Sequence, residues 1–217
     1  VHTDRGRSMV FHLGMSGRWR IDPAELDKHD HLVLETARHR LALNDVRRFG
    51  SVDLVEEAGL EAWPAFAALG PEPLGDGLTA AHLRAATKGR KPAIKLMLLD
   101  QRVVAGLGNI YVCEALFRTR LKPSRAAACL ATATGKPNAR TMALIPHIKD
   151  VLNDAIAAGG STLKDYPQAD GSLGYFQHSF HVYGREGEPC LTPACRGMVR
   201  RTVQAGRSTF FCPVCQR

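Results

Sequence analysis

Two cysteine pairs close the chain and restrict its folding choices more than any other feature. They are Cys190-Leu-Thr-Pro-Ala-Cys195, with four residues between the thiols, and Cys212-Pro-Val-Cys215, with two. Four thiolates fill a tetrahedral site, and a C-x-x-C turn has the spacing of a tight metal knuckle. Between the pairs, Met198-Val-Arg-Arg-Thr-Val203 and Ser208-Thr-Phe-Phe211 are β-rich runs joined by Gln204-Ala-Gly-Arg207. One hairpin therefore carries both knuckles, which makes the module a zinc ribbon with Cys190, Cys195, Cys212 and Cys215 as ligands. A closed set of four cysteines leaves no coordination position for substrate, so the one Zn2+ expected here is structural. A ribbon this small buries little core, and its metal supplies on the order of 10 kcal/mol of folding free energy. The alternative is two disulfides, although a C-x-x-C pair in an intracellular chain is more often a metal site or redox pair.

The ribbon is also a concentration of positive charge. It carries Arg196, Arg200, Arg201, Arg207 and Arg217, with no acidic side chain after Glu188. Guanidinium groups on a rigid turn suit phosphate. The whole chain has the same sign, with 29 Lys and Arg against 21 Asp and Glu, a formal charge of +8 and a pI near 9.4. A polyanion partner is expected, nucleic acid first among them. No apolar run approaches the roughly 20 residues that span a bilayer, and no signal peptide is visible, so a cytoplasmic, nucleoid-associated place is expected. Cys113 and Cys129 lie in apolar, helix-like surroundings and read as small buried hydrophobes.

Toward the N-terminus the hydrophobic period is two. Met9-Val-Phe-His-Leu13, Trp19-Arg-Ile21, His31-Leu-Val-Leu-Glu-Thr36 and Arg40-Leu-Ala-Leu43 are short runs divided by polar turns, as in an antiparallel β region. The period changes near Leu60. A short helix is expected over residues 61–69, closed by Gly70-Pro-Glu-Pro73, and another over 80–87 with Thr79 as its cap. A long apolar helix is expected over 93–104, then a glycine break, Ala105-Gly-Leu-Gly108, with Asn109 capping a helix over 110–117. A glycine turn feeding a capped helix points backbone N–H groups at one spot, which suits phosphate; an ordinary helix-helix corner would look the same. Leu144, Ile145, Ile148, Val151, Leu152 and Ala155 line one face of a further helix that ends at Gly159-Gly160. Residues 160–176 form a long loop rich in glycine and hydroxyls, suited to a lid over a flat polar ligand. The fold class expected is α+β, with a β region over 1–70, a helical region over 71–180 and the ribbon over 181–217.

Eight motifs then stand in order: His12-Leu-Gly-Met-Ser-Gly17, Lys28-His-Asp-His31, Asp45-Val-Arg-Arg-Phe-Gly50, Leu69-Gly-Pro-Glu-Pro-Leu74, Ala105-Gly-Leu-Gly-Asn-Ile-Tyr111, Gly159-Gly-Ser-Thr-Leu163, Val182-Tyr-Gly-Arg185 and Gly206-Arg-Ser-Thr-Phe-Phe-Cys-Pro-Val-Cys-Gln216. Together they resemble the bacterial formamidopyrimidine-DNA glycosylases, which remove oxidised purines, and the likeness covers essentially the whole chain. It implies a partial antiparallel β-sandwich, a helix-two-turn-helix region with a lesion-recognition loop, and the C-terminal zinc ribbon. It also implies a monomer that binds duplex DNA holding an oxidised purine or an abasic site. Met15, Arg47 and Phe49 would be the wedge that fills the place of an everted base, with Val46 where the family usually has proline. An apolar side chain can replace lost stacking, and an arginine can hydrogen-bond the orphaned base. His29, Arg90, Lys95 and Asn109 would contact the DNA backbone or lie near the lesion. Arg207 would grip the phosphates flanking it, and the family also credits that arginine with a late proton donation in strand cleavage.

The same resemblance implies an N-terminal proline amine as nucleophile, an adjacent glutamate and a lysine in the first β region. The opening Val1-His-Thr-Asp4 matches an interior strand of the pattern, so these groups are not expected among the 217 residues, and the chain as written is expected to bind lesion DNA without excising the base. Two readings of another class stand beside the glycosylase: a non-catalytic zinc-containing DNA-binding protein derived from that family, and a zinc-ribbon transcription or translation factor without lesion preference. His29 and His31 also permit a metal-ligand reading.

Overall fold

The computed structural model describes the chain except position 15 and residues 132–135 and 162–173. Met15 and most of the expected lesion loop lie outside the described residues. The chain divides into two compact units, Val1–Ala67 with Ala158–Gln177, and Ala68–Ala157 with His178–Arg217.

The first unit is β. Strands β1 (Arg7–His12), β2 (Arg18–Ile21), β3 (Asp30–Glu35) and β4 (Arg40–Asn44) fall on the four period-two runs, and β5 (Ser51–Glu56) follows. β1 pairs antiparallel with β5, and β4 lies between β2 and β3 in a second sheet. Ala42 and Leu43 of β4 are buried, as a central strand with alternating contacts on both neighbours requires. β5 was not anticipated. Its Val52 and Leu54 stand exposed while Val55 is buried, so its apolar residues do not mark one inward face. The helix expected over 61–69 is a single turn, α1 (Pro64–Ala67). Ser161 bridges Tyr175 and the Tyr175 amide donates to the Ala158 carbonyl, so the chain on either side of residues 162–173 meets.

The second unit is helical with the ribbon attached. α2 (Ala80–Thr87) begins where Thr79 accepts the His82 amide at 3.1 Å. The long helix expected over 93–104 is instead a short one, α3 (Ile94–Leu98), followed by a double turn. Asp100 accepts the Arg102 amide at 3.0 Å and pairs with its guanidinium at 2.7 Å, which turns the chain out of the helix. The Gln101 side chain then accepts the Gly106 amide at 2.7 Å and shapes the approach to α4 (Asn109–Arg118). Val104 and Leu107 stay fully buried, so the apolar run that suggests a helix is real core in a different conformation. α5 (Ala139–Ala157) buries Thr141, Leu144, Ile148, Val151 and Ala155 on one stripe and packs on α4. It ends before Gly159 and Gly160, both at positive φ, where glycine pays no Cβ penalty. The ribbon strands are β6 (Arg200–Gln204) and β7 (Arg207–Phe211). No helix among the described residues is long and apolar enough to cross a membrane.

Candidate metal centre and nucleic-acid interface

The metal centre follows from the hairpin. Its two knuckles bring Cys190, Cys195, Cys212 and Cys215 together with all four sulfurs within 4.8 Å of one another. The Cys190–Cys215 and Cys195–Cys212 separations are 3.7 and 3.8 Å. Sulfurs about 2.3 Å from a tetrahedral zinc lie about 3.8 Å apart, whereas a disulfide needs about 2.05 Å. All six cysteines are free thiols, which removes the disulfide alternative. The electrostatics demand a cation. At Cys190 burial works upward, but hydrogen bonds from Thr192, Cys212 and Cys215 outweigh it and pull the thiol down to about 7. At Cys195 the Gly197 amide pulls downward, yet the Cys215 thiol, burial and the other cysteines push it up to about 12. One thiolate forms readily and resists the next, until a divalent ion replaces the protons that bridge them. Gly197 leaves space for this cluster, since a Cβ there would meet the Cys212 sulfur at 2.6 Å. The cluster is a structural site for one zinc.

The ribbon does not stand alone. Cys113 and Phe117 of α4 share one core with Val182, Cys190, Val199, Phe210 and Cys212. Beside that core lies a fully buried carboxylate. Glu114 of α4 accepts the amides of His181, Val182 and Tyr183 at 3.0, 3.0 and 2.9 Å, and the His181 ring nitrogen Nδ1 lies 3.3 Å away. Burial pushes its pKa up, but the His181 ring and the three amides outweigh burial and hold it below the usual glutamate range. At the far end, Gln216 accepts the Cys212 amide and donates to the Leu121 carbonyl, both at 2.8 Å. Metal, carboxylate and glutamine thus fix the ribbon on α4 and the turn that follows it.

The tip of the hairpin is a two-residue turn with Ala205 at φ 46° and Gly206 at φ 73°, both in the left-handed region that a type I′ turn needs. Arg207 leaves it exposed, as do Arg196, Arg200 and Arg201. Behind the tip, Lys95 of α3 is completely buried. Its ammonium donates to the Thr209 hydroxyl at 2.6 Å and the Ser208 carbonyl at 3.1 Å. Asn109 was expected to cap α4, and it does not. The extended Gly108 is the cap residue, while the Asn109 amide donates to the same Ser208 carbonyl at 3.0 Å and to the Tyr183 hydroxyl at 3.3 Å. Lys95, Asn109 and Arg207 are therefore brought to one place. Arg90 is exposed on the turn after α2, and its carbonyl accepts the Ala128 amide.

Arg47 and Phe49 belong to the β unit, on the turn between β4 and β5. Asp45 builds that turn. One carboxylate oxygen accepts the Ser16 hydroxyl at 2.6 Å, the other accepts the Gly50 amide at 2.8 Å, and its carbonyl meets His31 Nε2 at 3.0 Å. The Ser16 hydroxyl and the Gly50 amide hold the Asp45 carboxyl below the usual range. The Arg47 amide donates to Ser16 Oγ at 3.3 Å, so the loops around 16 and 47 are latched together. Gly14 is needed here, because a Cβ would meet the Phe49 backbone at 3.0 Å. Phe49 is 58% exposed, with the Arg47 guanidinium 4.6 Å from its ring centre. His29 is half-buried beside His31, ring centres 6.3 Å apart, and its carbonyl accepts the Asp45 amide. Asp45, Ser16 and Glu114 escaped the sequence reading as site-forming residues.

Comparison with known proteins covers the same ground. Three family models match: the formamidopyrimidine-DNA glycosylase N-terminal domain over residues 1–52, the formamidopyrimidine-DNA glycosylase H2TH domain over 69–166, and the zinc finger found in FPG and IleRS over 187–217. The formamidopyrimidine-DNA glycosylase of Novosphingobium aromaticivorans is 64% identical, covering 100% of this chain and 77% of its own length. That of Erythrobacter litoralis is 60% identical, over 100% and 78%. Among solved structures, the MutM (Fpg) protein of Thermus thermophilus superposes with a TM-score of 0.83 at 41% identity, over 98% of this chain and 77% of that one. A complex between Lactococcus lactis Fpg and DNA containing an abasic site gives 0.83 at 34% identity, over 97% and 75%. With its β region, helix-two-turn-helix and four-cysteine finger each matched in order, the chain belongs to the formamidopyrimidine-DNA glycosylase family.

Proposed function

We propose that this chain binds duplex DNA at oxidised purines and abasic sites, as part of a base-excision DNA glycosylase with strand-cleaving lyase activity. One observation carries the reading. Arg207 projects from a turn that a metal cluster and the α4 carboxylate hold on the helical unit, so its charge meets a phosphate without first being ordered. Asn109 and the exposed Arg90 add backbone contacts on that unit, with Lys95 directly behind the tip. In the β unit, an exposed phenylalanine and arginine on a latched turn have the chemistry of a stack-invading wedge, with Met15 as third member and His29 as a nearby phosphate contact. The lesion-specific loop is assigned to residues 160–176. Arg207 is proposed first as a phosphate grip; an arginine is a weak acid near neutral pH, so its late proton donation is the secondary role.

Relatives support the reading, since the Lactococcus lactis protein has been solved with DNA containing an abasic site and, as a variant, with Fapy-dG DNA. The test is a fluorescence-anisotropy titration of the zinc-loaded chain against duplexes carrying 8-oxoguanine, a tetrahydrofuran abasic site or no lesion. Lesion duplexes should bind on the order of tenfold tighter or more, with affinity falling steeply in salt. Equal affinity for all three sinks the lesion reading and leaves a general zinc-ribbon DNA binder. Excision is read separately by borohydride trapping of the 217-residue polypeptide on the 8-oxoguanine duplex, where a covalent band refutes the expectation of binding without excision.

A further inference from the structure

Lys95 presents a problem that the family likeness does not solve. It is completely buried, and it donates hydrogen bonds to neutral oxygens of β7: the Ser208 carbonyl and the Thr209 hydroxyl. An ammonium in that position costs desolvation, and a methionine of similar length would fill the same space without the cost. Burial indeed pushes the Lys95 pKa down, with the Cys113 thiol opposing and the nearby Arg207 charge adding to the fall.

The register of the hairpin explains what the ammonium does. Gln204 pairs with Arg207 across the two-residue turn, Val203 with Ser208, and Arg201 with Phe210. In such a hairpin the pair flanking the turn exchanges hydrogen bonds and the next pair does not, so the backbone groups of Ser208 and Phe210 point away from β6. Position 208 meets Lys95 and Asn109, and the Phe210 amide meets the Cys113 sulfur. Side chains from α3 and α4 thus complete the free edge of β7 where another strand would otherwise pair.

We propose that Lys95 is a positioning residue for Arg207, holding the outward edge of β7 at Ser208 and Thr209 so that the arginine leaves the turn from a fixed place, and does not itself contact phosphate. This rests on Arg207 gripping DNA, as proposed above. The two roles separate in a double-mutant cycle with the zinc-loaded chain on a tetrahydrofuran duplex. Arg207→Ala and Lys95→Met should each weaken binding on the order of tenfold, and the double variant should bind no worse than Arg207→Ala alone. The salt slope should drop by about one phosphate in each single variant and no further in the double. Losses that multiply, or a slope that falls again in the double, overturn the proposal and make Lys95 a direct contact. Should Lys95→Met shed zinc or unfold, Thr209→Val carries the same cycle: a smaller loss that vanishes in the Arg207→Ala background supports the clamp, and a multiplying loss refutes it. Amide exchange in free protein tests the clamp without DNA. Exchange across residues 205–208 should quicken in whichever of the two variants retains zinc, and unchanged exchange there refutes the clamp even if the lesion reading holds; absence of lesion preference in the parent chain, with quickened exchange, fails the function alone.

Discussion

Arg47 and Arg207 both sit at turns, and the two turns are built by different means. Arg47 sits on a turn organised by Asp45, whose carboxylate accepts a hydroxyl and an amide and whose backbone carbonyl meets a neighbouring imidazole. Arg207 sits beside a two-residue hairpin turn that is held from behind by a metal cluster, a buried glutamate and a buried lysine. The first arrangement is local, so damage to it should stay local. The second is a stack of dependencies in which the hairpin, α4 and the metal share one core, so damage at one level should travel.

Metal removal tests that difference most harshly. Cys190 and Cys212 belong to the same core as Phe117 and Val182, so stripping the zinc, or Cys212→Ser, takes packing from α4 as well as ligands from the ribbon. A loss on the order of 10 kcal/mol is expected for the ribbon, seen as collapse of lesion-duplex affinity and a large fall in melting temperature. The β unit should keep its far-ultraviolet signature. A ribbon that stays folded under a strong chelator would mean that the α4 core suffices without the ion.

Glu114→Gln should come next. The glutamine keeps the shape but offers one carbonyl oxygen to three amides and a ring nitrogen that now share a carboxylate, at a cost of about 3 kcal/mol. The charge also gives a pH signature. Because the folded pKa lies below the unfolded value near 4.3, the carboxylate's contribution is complete above that unfolded value and is lost as pH falls through the folded one. Melting temperature against pH should therefore drop in acid for the parent chain, and this part of the drop should be missing from Glu114→Gln. Parallel curves would show that the carboxylate is not charged in the folded state.

Asp45→Asn should have the smaller and more selective effect that a local arrangement implies. Melting temperature and zinc content should hold, while preference for the lesion duplex over the intact one falls on the order of tenfold, because the Arg47 turn loses its charged acceptor. A fall in affinity for both duplexes together would place Asp45 in general DNA binding and not in the wedge.

The same contrast explains what could be read from the chain alone. Short-range patterns were visible: the cysteine pairs and the hairpin between them, the four period-two strands, and the apolar stripe of α5, in which Leu144, Ile148, Val151 and Ala155 are buried while Ile145 and Leu152 are half-buried at its margin. Contacts between residues far apart along the chain were not. Glu114 binds amides 67 to 69 positions away, Ser16 reaches Asp45 across 29, and Lys95 reaches Ser208 across 113. Each has the composition of an ordinary surface or core residue until folding brings its partner in. Asn109 misled for the same reason, since its position suited a cap while its side chain was already committed to Ser208 and Tyr183. The apolar run after Ala93 misled because burial alone does not distinguish a helix from a tight double turn whose bonds come from Asp100 and Gln101.

The smallest predicted effect falls at the tip itself. Ala205 occupies the first place of a type I′ turn at φ 46°, where asparagine is far better tolerated than alanine. Ala205→Asn should raise stability by about 0.5–1 kcal/mol, or roughly 1–4 °C in melting temperature. It should not tighten lesion binding, because on the clamp reading the place from which Arg207 departs is set behind the turn, at Ser208 and Thr209, and not by the comfort of the turn. An Ala205→Asn chain that binds the tetrahydrofuran duplex several-fold tighter would mean that the tip's own conformational freedom limits the arginine. The Arg207 turn would then be local after all, like its counterpart at Arg47.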